Sequence, residues 1–375
     1  MIGLVATTLL VHAYASPAEV KQIAGGRHAI VLYLDGHMVG WGPIDNGQLG
    51  PYDEKLFLQN WVRQPIPIKL DGKVASLACG PNTSYFLMED GHVKTFEKGP
   101  KSAEGNRVGT ISSVQVQGLD EVTQIGAYGV GACALRKDGT VWAWGSNNSQ
   151  MLGMPLPEPG DATQTSAIPV RIAGLEGIKA ISLGSGNGLA LTKEGKVMAW
   201  GWGEKGLLGN GQKLISTGTP VLVKNLSNVV AISASGYACA ALKADGSVWI
   251  WGFNRYGCLG KGSVDESIAY EPEKLAGLPP IKKIGCADGG FTIALSKTGT
   301  LYAWGMSDAG QSGTGVVYQK LGRPKKVNLS GVIDFWVCSN NTFARTATSI
   351  YYWGAGYSQT KGFEKFQSSP KKLGL

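Results

Sequence analysis

The sequence predicts an all-β chain folded as a seven-bladed β-propeller with four-stranded blades, a single domain over residues 16–375. Three observations carry this. A unit of about fifty residues recurs almost end to end. Every copy contains short β-rich runs broken by Gly turns. No stretch has helical periodicity, and seven small antiparallel sheets arranged radially protect most of their edges.

The repeat has a fixed register. Its anchors are Trp41, Phe96, Trp144, Trp200, Trp251, Trp304 and Trp353, separated by 55, 48, 56, 51, 53 and 49 residues. Three residues before each stands an apolar side chain: Met38, Val93, Val141, Val197, Val248, Leu301 or Ile350. Nine before stands Leu32, Leu87, Leu135, Leu191, Leu242 or Leu295, with Ala344 in the seventh copy. Nine after comes Gly50, Gly105, Gly153, Gly209, Gly260, Gly313 or Gly362.

Between the Leu and the anchor lies a turn. It reads Asp35-Gly36, Asp90-Gly91, Asp138-Gly139, Glu194-Gly195, Asp245-Gly246 and Thr298-Gly299, and Ala347-Thr348 in the seventh copy. Asp-Gly between apolar runs is a hairpin signal, because Gly supplies the positive φ that a tight turn requires. The second copy departs at the anchor, where Phe96-Glu97 replaces Trp-Gly, and both irregular copies are read as drift within the ring.

Each copy opens on an apolar strand, such as Val20–Ile23, Val122–Ile125 or Ile281–Ile284, and most are preceded by a Pro-led strand, such as Pro169–Ile172 or Pro324–Val327. The first copy lacks that strand, and Ser369–Leu375 supplies one at the other end. The expectation is that the C-terminal strand pairs into the first blade and closes the ring, removing two free edges.

Bulk composition sets broad bounds. Of 375 residues, 43% are hydrophobic and 17% charged, and the 55 Gly suit turn-rich β structure. No run approaches a membrane span. Residues 1–15 are apolar, and Ala13-Tyr14-Ala15 resembles a small-residue cleavage site before Ser16. Export to a secreted or periplasmic location is therefore expected, with a cytoplasmic chain as the alternative.

The unit Leu-x-x-Asp-Gly-x-Val-x-x-Trp-Gly and the loop Gly47-Gln48-Leu49-Gly50 resemble the regulator of chromosome condensation repeat family, over about Pro17 to Leu375. The first copy is closest, with Ile23–His28, Asp35-Gly36 and Trp41-Gly42. The resemblance implies seven blades of four strands, including bacterial members. It also implies a rigid ring that presents loops to another protein. Members include a guanine-nucleotide exchange factor for a small GTPase that also binds nucleosomes, a secreted β-lactamase inhibitory protein, and ubiquitin-ligase modules. Fold alone does not choose among these. The family's repeated His survives clearly only at His28, with Gly131, Gly188 or Ala238 near that place elsewhere. That departure sets this chain apart from the eukaryotic exchange factors, and no segment between repeats stands out as an inserted wedge, Pro51 to Lys73 and Glu97 to Glu121 being the longest.

Catalytic and metal signatures are not evident. The four His (His12, His28, His37 and His92) include no pair with metal-ligand spacing, and there is no Cys-x-x-Cys. Gly184–Gly188 is followed by a strand rather than by the helix N-terminus of a phosphate loop. No Ser lies in a Gly-x-Ser-x-Gly elbow. His28 is read as structural. Cys79, Cys133, Cys239, Cys258, Cys286 and Cys338 are scattered over different copies and are read as buried free thiols. No cofactor or metal is expected, and the chain is read as a non-enzyme.

The fixed register puts every loop after Trp-Gly on one face. Most are polar, but Trp202 and then Phe253, Arg255 and Tyr256 occupy neighbouring loops, and Tyr357 follows in the last copy. Aromatic and Arg side chains dominate binding hot spots. These five residues are the candidate partner-binding set, with packing between blades as the competing role. A second candidate is basic: nine Lys/Arg face three Asp/Glu between Leu301 and Leu375, within a net charge of +8. It includes Lys320, Arg323, Lys325, Lys326, Lys371 and Lys372. Such a cluster can neutralise nucleic-acid phosphates, but Lys on outer strands also blocks strand pairing, and the second role is preferred. The expected function is a non-enzymatic, protein-binding monomer. The alternatives are a regulator or exchange factor of a small GTPase, and a secreted enzyme-inhibitory propeller.

Overall fold

A computed structural model describes residues 19–51, 61–98, 111–155, 165–355 and 366–374. Residues 1–15, Gly105, Tyr357 and Gly362 lie outside the described residues. Among the described residues strands form the regular structure, in seven antiparallel sheets of four consecutive strands each. Blade 1 is β1 (Val20–Gly25), β2 (Ala29–Tyr33), β3 (Met38–Pro43) and β4 (Trp61–Pro67). Blade 2 is β5 (Val74–Cys79), β6 (Ser84–Met88), β7 (Val93–Lys98) and β8 (Ile111–Gln115). Blade 3 is β9 (Val122–Tyr128), β10 (Gly131–Arg136), β11 (Val141–Ser146) and β12 (Thr165–Arg171). Blade 4 is β13 (Ile178–Leu183), β14 (Asn187–Thr192), β15 (Val197–Trp202) and β16 (Ser216–Leu222). Blade 5 is β17 (Val229–Ala234), β18 (Ala238–Lys243), β19 (Val248–Phe253) and β20 (Ile268–Lys274). Blade 6 is β21 (Ile281–Ala287), β22 (Phe291–Ser296), β23 (Leu301–Ser307) and β24 (Gln319–Lys326). Blade 7 is β25 (Asp334–Cys338), β26 (Asn341–Arg345), β27 (Ile350–Gly354) and β28 (Gln367–Lys372). This is the seven-bladed propeller that the repeat predicts.

The first strand of each blade is innermost and touches the first strands of its neighbours all round the ring. Their edges are bridged by side chains. Gln22 donates to the Leu77 carbonyl at 2.8 Å and accepts from the Leu77 amide at 2.9 Å, and Gln124 does the same with Ile181. Second strands are almost wholly buried, as in the five-residue β2 and the six-residue β22.

The anchor residues explain the register. Trp251, Trp304 and Trp353 donate their indole N–H to the carbonyls of Leu207, Cys258 and Gln311 at 2.9, 2.8 and 3.0 Å. Trp200 reaches Met151 in the same way at 3.2 Å. Each acceptor lies seven residues after the anchor of the preceding blade, so each of these four indoles ties its blade to the one before. The Gly nine residues after the anchor is needed for the same contact. A Cβ on Gly313 would stand 2.4 Å from Trp353 Nε1, and the Gly313 φ of +69° is a left-handed conformation that disfavours any side chain. The predicted turns are present, with Gly36 at φ +91° and its amide bonded to the Tyr33 carbonyl.

The expected closure is corrected. β28 pairs with β27 of its own blade, Tyr351 opposite Lys372 and Tyr352 opposite Lys371, and blade 1 is completed by β4. The loop after each anchor brings the chain back beside the anchor strand. The Pro-led segment is therefore the outer strand of the copy it follows, not of the copy it precedes. Each such strand is bulged opposite the anchor region, and Pro169, Pro220, Pro324 and Pro370 fall inside the bulges. Proline is tolerated there because a bulge on an outer strand needs no amide for the ladder. The ring closes by side-chain packing: Cys338, Phe343 and Ile350 of blade 7 share one apolar cluster with Val20, Ile23 and Leu32 of blade 1.

Candidate functional site

Antiparallel order fixes which loops share a face. Loops joining first to second strands and loops joining third to fourth strands emerge together, while the Asp-Gly turns lie on the opposite face. On the first of these faces blades 4 and 5 build an aromatic cluster that abuts blade 6. Trp202 ends β15 and Phe253 ends β19, and both strand ends are pinned by their amides to the first-to-second loops, at the Gly186 and Tyr237 carbonyls, 2.7 and 2.8 Å away. Tyr237 belongs to the loop between β17 and β18, and Tyr256 to the loop after β19. Their rings meet edge to face, with centroids 4.9 Å apart. Tyr256 also lies against Gly290 of blade 6, where a Cβ would come within 2.7 Å of the ring. All four aromatic residues are half-buried, and three of them, Trp202, Tyr237 and Tyr256, pack on an apolar cluster that runs through blades 4, 5 and 6.

Lys205 occupies the middle of the cluster. Its Nζ stands 4.5 Å from the Trp202 ring centroid, 4.1 Å from Tyr237 and 5.9 Å from Phe253, all within cation–π range. Burial draws its pKa below the ordinary lysine value; Glu204 opposes the shift and Arg255 reinforces it. The Tyr237 phenol is pushed up, first by its hydrogen bond with Tyr256 and then by burial. Arg255 and Lys320, both exposed, stand 5.9 and 5.3 Å from the Tyr256 ring.

Of the residues expected from sequence, Trp202, Phe253, Arg255 and Tyr256 thus come together, and Tyr357 lies outside the described residues. Tyr237 was missed. Its signal is an aromatic residue beside the position where other copies carry a small residue, on a loop that shares the face. The basic candidates divide. Lys320 joins the aromatic cluster. Arg323, Lys325 and Lys326 lie along β24, and Lys371 and Lys372 along β28, exposed on the outer strands of blades 6 and 7.

Two other polar sites lie apart from the aromatic cluster. A cavity of about 140 Å³ on the axis is lined by inner-strand ends, including Cys79, Cys286, Cys338 and Asp288. One oxygen of Asp288 accepts from the amides of Ser185 and Gly236 at 3.1 and 2.7 Å, bridging blades 4, 5 and 6. The carboxyl keeps surface toward the cavity, but protein surrounds it, and this desolvation raises its pKa. Burial raises the Cys286 thiol to about 11 and Cys79 to about 12, and all six cysteines are free.

The second site is His28, whose Nε2 lies 2.7 Å from Ser84 Oγ. Ser84 donates its proton to the Gln48 carbonyl at 2.6 Å, so it must accept from His28. Both side chains are fully buried, and burial lowers the His28 pKa to about 4. A hydroxyl already committed to a carbonyl and closed to solvent is a structural link, not a nucleophile. Among the described residues no group of three or more His, Cys, Asp or Glu could hold a metal ion. No helix there is long and apolar enough to cross a membrane.

Residues 7–291 match the RCC1-like domain. The chain belongs to the RCC1-like domain family. Within the RCC1-like family it is 28% identical to the Ultraviolet-B receptor UVR8 of Arabidopsis thaliana, over 80% of this chain and 68% of UVR8. It is 31% identical to the E3 ubiquitin-protein ligase HERC2 of Homo sapiens, over 77% of this chain but 6% of HERC2. A mouse RCC1-like G exchanging factor-like protein is 29% identical, over 67% of this chain and 57% of that protein. Among solved structures, human WBSCR16 superposes with a TM-score of 0.74 at 20% identity, covering 88% of this chain and 87% of that one. Prp20p of Saccharomyces cerevisiae, described with its binding to Gsp1p and histones, gives 0.72 at 22%, covering 85% and 80%. At these identities the structures establish the RCC1-like fold alone.

Proposed function

We propose that this chain is a non-enzymatic RCC1-like propeller that binds a protein partner through the loop face of blades 4–6. The observation that carries the reading is the convergence of Trp202, Tyr237 and Phe253 around Lys205 on blades 4 and 5, with Tyr256 edge to face on Tyr237. Half-buried rings on a rigid sheet framework bury large area on binding with little further ordering. The test is capture of a partner by the intact chain and by a Trp202→Ala/Phe253→Ala variant with an unchanged melting temperature. Loss of the partner supports the reading, and undiminished capture rejects it.

A second reading is regulation of a small GTPase. It draws on the similarity to the mouse G exchanging factor-like protein and on the fold shared with Prp20p. Accelerated nucleotide release from a captured GTPase favours it, and an unchanged rate excludes it. Export is proposed from residues 1–15 and is tested by sequencing the N-terminus of the mature protein; a start at Ser16 accords with it and favours a secreted inhibitory role.

A further inference from the structure

We propose that the partner segment received by this face is acidic and carries an apolar or aromatic residue among its carboxylates. The inference rests on the loop-face reading above and adds the chemistry of the partner. Three cations, Lys205, Arg255 and Lys320, interleave with the rings. None of the three forms an ion pair among the described residues. Glu204, the acid whose charge acts on Lys205, is exposed and forms no ion pair with it.

Each cation stands against an aromatic ring, which restrains the side chain, while Arg255 and Lys320 stay exposed and Lys205 half-buried. A carboxylate that arrives there meets donors whose ordering entropy has largely been spent, and it completes a charge-assisted hydrogen bond at low cost. The rings between the cations offer apolar surface to the intervening residue. A cationic segment is disfavoured, because Lys205 already fills the space between Trp202 and Tyr237 and like charges flank it. The net charge of +8 also steers acidic partners toward the ring.

The face is distinct from the lateral lysines. Lys325 and Lys326 pair with Ala303 and Tyr302, and Lys371 and Lys372 with Tyr352 and Tyr351, on outer strands. Binding there would be sequence-independent and would favour polyanions such as heparin or single-stranded DNA.

The experiment titrates the intact chain with a fluorescein-labelled peptide of Glu and Asp interrupted by Phe, and with the same peptide in which Gln and Asn replace the acids. Lys205→Met keeps the aliphatic stem over the rings and removes the charge, so it tests charge without opening a hole. Arg255→Gln/Lys320→Gln tests the exposed pair, and Lys325→Gln/Lys326→Gln/Lys371→Gln/Lys372→Gln is the control for general charge.

The acidic peptide is expected to bind, the amide peptide to bind far more weakly, and each loop-face variant to lose roughly tenfold in affinity while the lateral variant is unchanged. Equal loss in the lateral variant, or tighter binding of heparin through those lysines, overturns the proposal in favour of a polyanion surface. No peptide binding, together with partner capture that still depends on Trp202 and Phe253, overturns the acidic chemistry and leaves the loop-face reading standing. Capture that ignores Trp202 and Phe253 overturns both.

Discussion

Ser84 donates its hydroxyl to the carbonyl of Gln48 at 2.6 Å, and so fills in blade 2 the place that an anchor indole fills in blades 4–7. Gln48 stands seven residues after Trp41, in register with Met151, Leu207, Cys258 and Gln311. Phe96 has no N–H to offer, and the hydroxyl held by His28 substitutes for it. Ser84→Ala should therefore cost about 1–3 kcal/mol, because it leaves a buried donor and a buried acceptor unpaired. Adding Phe96→Trp to that variant should recover part of the loss. Urea unfolding of both variants checks this; additive losses would show that the two positions are unrelated.

The Gly at position nine is a packing requirement as well as a conformational one. Gly313→Ala should destabilise by several kcal/mol in the manner of an overpacked core, since its Cβ would meet Trp353 at 2.4 Å. Gly177 has a similar φ, +63°, but nothing within 4 Å of its Cβ position. Gly177→Ala should cost only about 1 kcal/mol, for the backbone alone. Equal losses in thermal denaturation would count against the indole contact as the cause.

His28 gives the fold a pH dependence with a defined sign. Its folded pKa is about 4, below the ordinary 6.5, so the unfolded chain takes up the proton first as pH falls. Stability that is fully present above about pH 6.5 is lost toward pH 4, by up to roughly 3 kcal/mol. His28→Gln, which can still donate to Ser84, should flatten the melting profile in this window. A profile as steep as that of the unmodified chain would assign the effect elsewhere.

Asp288 acts in the opposite sense. Its folded pKa is raised, so the folded chain keeps a proton that the unfolded chain releases, and stability falls as pH rises through the raised value. Asp288→Asn keeps an oxygen for the Ser185 and Gly236 amides and removes the confined charge. It should melt at or above the unmodified chain at neutral pH, with the gap closing in acid. Asp288→Ala, which orphans both amides, should melt lower throughout. An Asn variant that melts lower at neutral pH would contradict this.

The parts of the fold that were legible are those that recur. Trp251 and Trp304, Gly260 and Gly313 make the same contact in successive blades, and repetition turns a contact into a visible period. The placement of the Pro-led strands was not legible, because a segment between two copies is equally near both in sequence. Only the bulge that seats Pro370 opposite β27 decides which blade owns it. Trp202, Phe253, Arg255 and Tyr256 stood out as departures from polar loops. Tyr237 did not, since its relation to Tyr256 is made by antiparallel order across the blade. Lys205 looks like any surface lysine until three rings are placed around it.

The most direct test of the central claim is the hydrogen-exchange footprint of a captured partner on the intact chain. Protection is predicted in segments 202–206, 235–238 and 253–257, with the turns between second and third strands of the same blades, Glu194-Gly195, Asp245-Gly246 and Thr298-Gly299, unchanged. Protection confined to the turns, or to the outer strands of blades 6 and 7, would contradict the assignment of the binding face.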